Sequence, residues 1–272
     1  MKPVSLTLLN VHEPQVLVSA EDFLLVYKPP KMHSAPGKGA SLAEWCGSLF
    51  PEIRGISRRG NSGGGRNSGA SAVATVESGL LHRLDYETQG LVLFARNQGA
   101  FEILLDEQDQ GEVVKEYGAL VSKAEKTPPG FPPFAGVLKN KKNIESYFRP
   151  YGPGRKEVRP VPLPVNEERP ASVEISKDKG TPYPYRTEIL DPRSATQGGI
   201  EYFRLRITRG FRHQIRCHLA WAGFPVINDP LYGGHKFGKG ILALRAEGIR
   251  FTYPRSTRKL YYTLPPLDIQ DL

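Results

Sequence analysis

The chain has 272 residues, enough for one sizeable core, and its 37 Lys and Arg against 28 Asp and Glu leave a formal charge of +9, an excess that favours polyanionic partners such as nucleic acid or an anionic membrane face. Two cysteines, Cys46 and Cys217, are too few for a disulfide scaffold and stand in no metal-ligand spacing, which points to a reducing cytosol. No apolar run approaches membrane-spanning length and Met1–Leu9 has no long apolar segment, so a soluble, cytoplasmic protein is expected rather than a secreted or membrane one.

In chain order, Val16–Tyr27 reads as a strand pair around Ala20-Glu21-Asp22, ended at Lys28 by Pro29-Pro30. A loop, Lys31–Gly39, leads to a short helix over Leu42–Phe50, with Ser41 as N-cap and Pro51 as stop. Gly55–Ala70 is dominated by Gly, Ser, Asn and Arg; such a segment cannot bury enough to offset its ordering entropy and reads as a pliable insert carrying Arg58, Arg59 and Arg66.

The chain is organised around Leu80–Arg96, where the ionisable run His82, Arg83, Asp85 gives way through Gly90 to an unbroken apolar run, Leu91–Ala95. That run suits a strand buried on both faces, and Asp85, Thr88 and Gly90 suit the turn before it. If Leu81–Asp85 is extended, Arg83 and Asp85 point to one side. A carboxylate beside guanidinium groups stays ionised, as a nucleophile or base requires, although on this stretch alone a structural ion pair at a turn is the simpler reading.

Asn97 caps a helix that faces the core with Phe101, Leu104 and Leu105 and ends near Gly111. Lys115–Ser122 follows as a strand with Lys115, Tyr117, Ala119 and Val121 on one face. Residues 125–184 form a basic, proline-rich excursion, in which prolines break regular structure while Lys139, Lys141, Lys142, Arg149, Arg155, Lys156 and Arg159 interleave with Tyr147, Phe148 and Tyr151. Basic groups alternating with aromatics can contact phosphates and stack on bases, and they also describe a solvated surface. Strands return at Tyr185–Leu190 and Glu201–Thr208, the latter with Arg204 and Arg206 on its cationic face. A helix over Arg212–Ala222, stopped by Gly223, places His213 and Arg216 on one face, whereas His213 and His218 are too far apart in phase for a zinc pair.

Taken together, His82-Arg83-Leu84-Asp85 with Thr88 and Gly90, Lys115-Glu116-Tyr117, Gly210 through His213-Gln214-Ile215-Arg216, and Gly223-Phe224-Pro225 running into Asp229-Pro230-Leu231-Tyr232-Gly233 resemble the ordered motifs of RluA-type RNA pseudouridine synthases. Lys28-Pro29-Pro30 and Leu244-Arg245-Ala246 with Phe251-Thr252-Tyr253-Pro254 resemble the family's first and last motifs, so the likeness spans Val16 to Pro254.

The resemblance implies a single catalytic domain over 1–272, of α/β (α+β) class, with a mixed, largely antiparallel sheet, flanking helices and a central catalytic cleft. It further implies isomerisation of uridine to pseudouridine in structured ribosomal or transfer RNA, with no metal or organic cofactor and no membrane, by a protein acting as a monomer. By that likeness Asp85 is the catalytic carboxylate, Arg216 its cationic partner, Tyr117 the residue against the uracil and Leu244 a pocket-lining residue. Arg83 helps hold the flipped nucleotide or fills its vacated place, and Arg212, Arg58, Arg59, Lys141 and Lys142 join it as RNA contacts.

Departures from the family pattern are Phe211 where Arg often stands, Gln89 for a small Ser and Asn228 for Gly. His82, His213, His218 and Trp221 read as structural, and Asp229 and Tyr232 as shaping a turn. A catalytically silent RNA-binding protein of the same fold is the alternative, and a metal-dependent hydrolase resting on scattered His and Asp residues is a more distant one.

Overall fold

The computed structural model describes residues 1–37, 39–58, 78–134, 143–163, 180–192 and 199–272. Arg59, Lys141, Lys142 and most of the Gly55–Ala70 insert lie outside the described residues. The chain divides into two compact units, Met1–Val113 with Arg250–Leu264, and Val114–Ile249 with Pro265–Leu272.

In the first unit, β2 (Gln15–Ser19), β3 (Phe23–Lys28) and β4 (Gln89–Ala95) are adjacent antiparallel neighbours, with Phe23 opposite Ala95 and Lys28 opposite Gly90. β3 and β4 are buried at every position, the burial expected of near-continuous apolar runs. A short β1 (Val4–Ser5) lies parallel to β11 (Lys259–Thr263). The helix α1 (Leu42–Leu49) starts in a capping box: Ser41 Oγ accepts from the Glu44 amide at 3.2 Å while the Ser41 amide donates to Glu44 at 3.1 Å. Asn97 caps α2 (Gln98–Gln110) through the Ala100 amide at 2.9 Å, and Gly111 ends it in the left-handed conformation.

The second unit is a sheet in the order β10-β5-β9-β8-β6-β7, formed by β5 (Val114–Ser122), β6 (Asn143–Tyr151), β7 (Glu157–Val161), β8 (Tyr185–Pro192), β9 (Ile200–Ile207) and β10 (Leu244–Thr252), the last of which runs on into the first unit. Along the antiparallel β5–β9 pair Tyr117 stands opposite Leu205. The cationic face of β9 is neutralised in part: Arg204 and Arg206 both pair with Glu116, each at 3.2 Å. The helix α3 (Gln214–Trp221) packs on β7 and β8.

Three expectations change. The excursion read as irregular contains the β6–β7 hairpin, because Ile144, Ser146 and Phe148 alternate inward and Pro160 sits in β7 at the end of the strand order, where no further ladder bond is needed. α3 begins at Gln214 rather than Arg212, since His213 has a left-handed backbone at φ 55°, so His213 and Arg216 do not share a helical face. Leu81–Asp85 is not a strand: the Gly79 carbonyl and the Leu81 amide bond to β4 on either side of the Leu80–Phe94 bridge, and burial then falls on Leu81 and Leu84, three apart.

Gly118 of β5 faces the Glu247 carboxyl of β10, and a Cβ there would lie 2.1 Å from Glu247 Oε1. That carboxyl cannot swing aside freely, because it accepts from Tyr202 Oη at 2.5 Å and from the Leu267 amide. Gly118→Ala is therefore expected to cost about 1–3 kcal/mol by overpacking, read as a lower urea midpoint at unchanged slope; an unaltered midpoint would show that Glu247 yields without cost.

Candidate functional site

In the first unit the site is built on the segment that enters β4. Leu84 is buried and its backbone is held on both sides by Ser34, whose Oγ accepts from the Leu84 amide and donates to the Leu84 carbonyl, each at 2.9 Å. The Thr88 amide donates to the Asp85 carbonyl at 3.1 Å and closes the turn that presents Asp85. Asp85 is half-buried and Arg83 exposed. The Tyr86 carbonyl accepts from the Met32 amide at 3.2 Å, and the Tyr86 ring lies 4.7 Å from His33 at 41°. His82 Nε2 accepts from the Leu93 amide at 3.3 Å, a structural role. Gln89, in place of a small residue, accepts from Tyr27 Oη at 2.6 Å inside the core.

Beneath this turn lies Lys28, expected as a strand end and as part of the first motif but not as a buried anchor. Lys28 is fully buried, and its ammonium donates to the carbonyls of Met32 at 2.7 Å, Pro29 at 2.9 Å and Tyr86 at 3.3 Å. Burial pulls its pKa down to about 7, against the opposing pull of the Asp85 and Glu87 carboxylates. The signal available in sequence was a lysine closing an otherwise apolar strand just before Pro-Pro.

In the second unit Tyr117 lies buried on β5, on the same face as Lys115. Lys115 donates to the Thr208 carbonyl at 3.1 Å, and burial lowers its pKa to about 8. Arg216 of α3 is wholly buried and forms a two-point ion pair with Asp229, Nε to Oδ2 at 2.8 Å and Nη2 to Oδ1 at 2.9 Å. Such a fork fixes the guanidinium plane as well as its charge. Asp229 Oδ1 also accepts from the amides of Leu231 and Tyr232 at 2.9 and 3.2 Å, so the turn expected there doubles as the mount for Arg216. The Arg216 guanidinium lies 5.6 Å from the centre of the Tyr232 ring, and His213 Nδ1 lies 3.1 Å from Tyr232 Oη. Asn228, standing for a glycine, takes φ 63°, which asparagine tolerates, and its side chain bonds Phe237 and Ile241.

Around this mount the remaining polar groups of α3 are satisfied. His218 bonds Thr187 Oγ1 at 2.8 Å and Ser146 Oγ at 3.0 Å, and burial lowers its pKa to about 3, so it is neutral. Leu244 is buried at the start of β10. Arg212 is exposed and donates to the carbonyls of Arg155 and Glu157, tying the β6–β7 turn to the entry of α3; Arg58 is exposed in the first unit. Among the described residues no three His, Cys, Asp or Glu side chains gather as a ligand set for a metal ion, and no helix is long and apolar enough to cross a membrane.

A family model described as RNA pseudouridylate synthase matches residues 22–221. An RNA pseudouridine synthase, described as uncharacterized, from Chloroflexus aurantiacus is 31% identical over 196 residues, covering 71% of this chain and 51% of its own length. The ribosomal large subunit pseudouridine synthase C of Haemophilus ducreyi is 26% identical over 275 residues, 97% of this chain and 69% of that protein. The chain thus spans about half the length of the first of these relatives. The solved structure of human RNA pseudouridylate synthase domain containing 1 shares the fold, with a TM-score of 0.59 and 19% identity over 97% of this chain and 86% of that one.

A lysine whose pKa is lowered on folding binds its proton more tightly in the unfolded chain, so its contribution to stability rises as pH climbs from about 7 to the ordinary 10.5. Lys28→Met is expected to lose about 1–3 kcal/mol at high pH, where the Pro29 and Met32 carbonyls lose the lysine as donor, and to flatten that rise. Urea unfolding of both proteins across the window checks it; parallel pH profiles would refute the assignment.

Proposed function

Since the chain belongs to the RNA pseudouridylate synthase family, its residues 22–221 matching the family model, we propose that it isomerises particular uridines to pseudouridine in structured RNA. The family match carries this reading. The name of the Haemophilus ducreyi relative favours ribosomal RNA, with transfer RNA as the other candidate. A monomer acting in the cytoplasm without metal or organic cofactor completes the reading.

The reaction breaks the bond from ribose C1′ to uracil N1, turns the base in place, joins C5 to C1′ and releases the C5 proton. It needs a group acting on the sugar and a site that keeps the detached uracil. Asp85 is assigned the first task, by attack on C1′ or removal of the C2′ proton. Its turn, fastened through Ser34, Met32, Thr88 and Lys28, supports a carboxylate held in one place, as near-attack geometry demands. Tyr117 is assigned to the base, its ring for stacking and its hydroxyl for the proton leaving C5. Arg216, held in one plane by Asp229, is assigned as the cationic partner of the catalytic carboxylate. Leu244 is assigned to the apolar lining of the uracil site. Extruding the nucleotide costs a few kcal/mol, which contacts from Arg83, Arg58, Arg59, Arg212, Lys141 and Lys142 to phosphates offset.

Asp85→Asn is expected to lower conversion by about 10²–10⁴-fold or more while leaving unfolding midpoint and RNA affinity near wild type. Mass-spectrometric counting of pseudouridine in unmodified ribosomal and transfer RNA transcripts checks it. Binding without any conversion by the wild-type protein would instead favour a silent RNA-binding role.

A further inference from the structure

We infer that Tyr86, backed by His33, is a stacking platform for a nucleobase flanking the target uridine, and so a determinant of which RNA is accepted. The inference rests on the isomerase reading above and adds a substrate contact to the same site. Among the described residues of the first unit, Tyr86 is the single exposed Phe, Tyr or Trp, at 43%. It follows Asp85 directly, about 3.8 Å on along the chain trace.

The placement of this ring is fixed from behind. Its carbonyl accepts from both Met32 N and Lys28 Nζ, and its neighbour Leu84 is anchored in the core by Ser34. His33 is equally fixed, its carbonyl accepting from the Leu42 amide at 2.8 Å at the start of α1. Two rings 4.7 Å apart at 41° therefore stand on pinned backbone while one of them keeps much of its surface in water. Two exposed tyrosines of the second unit contrast with this: Tyr151 lies under the Arg159 guanidinium at 3.1 Å and Tyr183 lies against Tyr185 and Arg209, while Phe237 is exposed at 39%.

Flipping one nucleotide out of an RNA leaves the adjacent bases without a stacking partner. A pre-positioned phenol ring beside the acting carboxylate replaces that partner with little loss of rotamer freedom. The exposed cations Lys31 and Arg83 lie within a few residues of the two rings, which suits the phosphates on either side of such a base better than it suits an apolar protein partner.

The full chain with Tyr86→Ala, Tyr86→Phe, Tyr86→Trp and His33→Ala would be compared on two probes: unmodified large-subunit ribosomal RNA transcript for conversion, and oligouridylate carrying one internal 2-aminopurine for stacking. Tyr86→Ala is expected to raise KM and the probe's Kd by on the order of 5- to 100-fold and to abolish 2-aminopurine quenching, with most of the loss in KM rather than kcat. Phe and Trp are expected to restore both, and His33→Ala to give a smaller loss. Conversion with an unchanged KM and unchanged quenching in Tyr86→Ala would overturn the platform, as would a Phe variant no better than Ala. A wild-type protein that quenches through Tyr86 yet converts no uridine in this transcript or in unmodified transfer RNA transcripts would overturn the isomerase reading and leave the platform standing.

Discussion

The buried ammonium of Lys28 is the constraint on which the first unit turns. An apolar hairpin, β3 against β4, ends where the chain must change from core to chemistry, and a charge at that point would ordinarily be forbidden by desolvation. Its three carbonyl acceptors come from the turn after β3 and from the residue just after Asp85. One cation thus closes the core and ties down the segment that carries the acid. The carboxylates of Asp85 and Glu87 counter part of the penalty, so the lysine is electrostatically linked to both acids of the turn.

The second unit solves the corresponding problem with α3, whose residues are buried along its whole length. A helix buried all round cannot leave Gln214, Arg216 and His218 unpaired, and each has partners supplied by strands or by the following turn. The Arg216–Asp229 pair is the costly member. Two desolvated charges are tolerable only when geometry is good and the remaining lone pairs are used, and Asp229 meets that condition by also accepting from two backbone amides. What results is a guanidinium with a fixed plane, which is what a site needs if charge is to be presented without reorganisation.

Much of the architecture was legible from local pattern. The strand pair ending at Lys28, the capped helices after Ser41 and Asn97, the buried run Leu91–Ala95 and the strand bearing Tyr117 all follow from hydrophobic period and capping chemistry. The ordered motifs likewise named the family. Two of the misreadings share a cause: proline and backbone handedness were judged without their surroundings. Pro160 breaks nothing at a strand with no outer neighbour among the described residues, and a left-handed His213 moves the start of α3 without any mark in the hydrophobic pattern.

Sequence by itself determined which segments are apolar with which period, because that property is carried by neighbours in the chain. It also determined that an acid, a tyrosine and an arginine stand in motifs of one enzyme family. Only the tertiary structure decided what each charge costs and what holds it: that Lys28 is sealed beneath the Asp85 turn, that Arg216 is locked by Asp229, and that Gly118 must stay bare before Glu247. Those facts depend on desolvation and on how hydrogen-bond partners are brought round each charge, and neither quantity exists until the chain is packed.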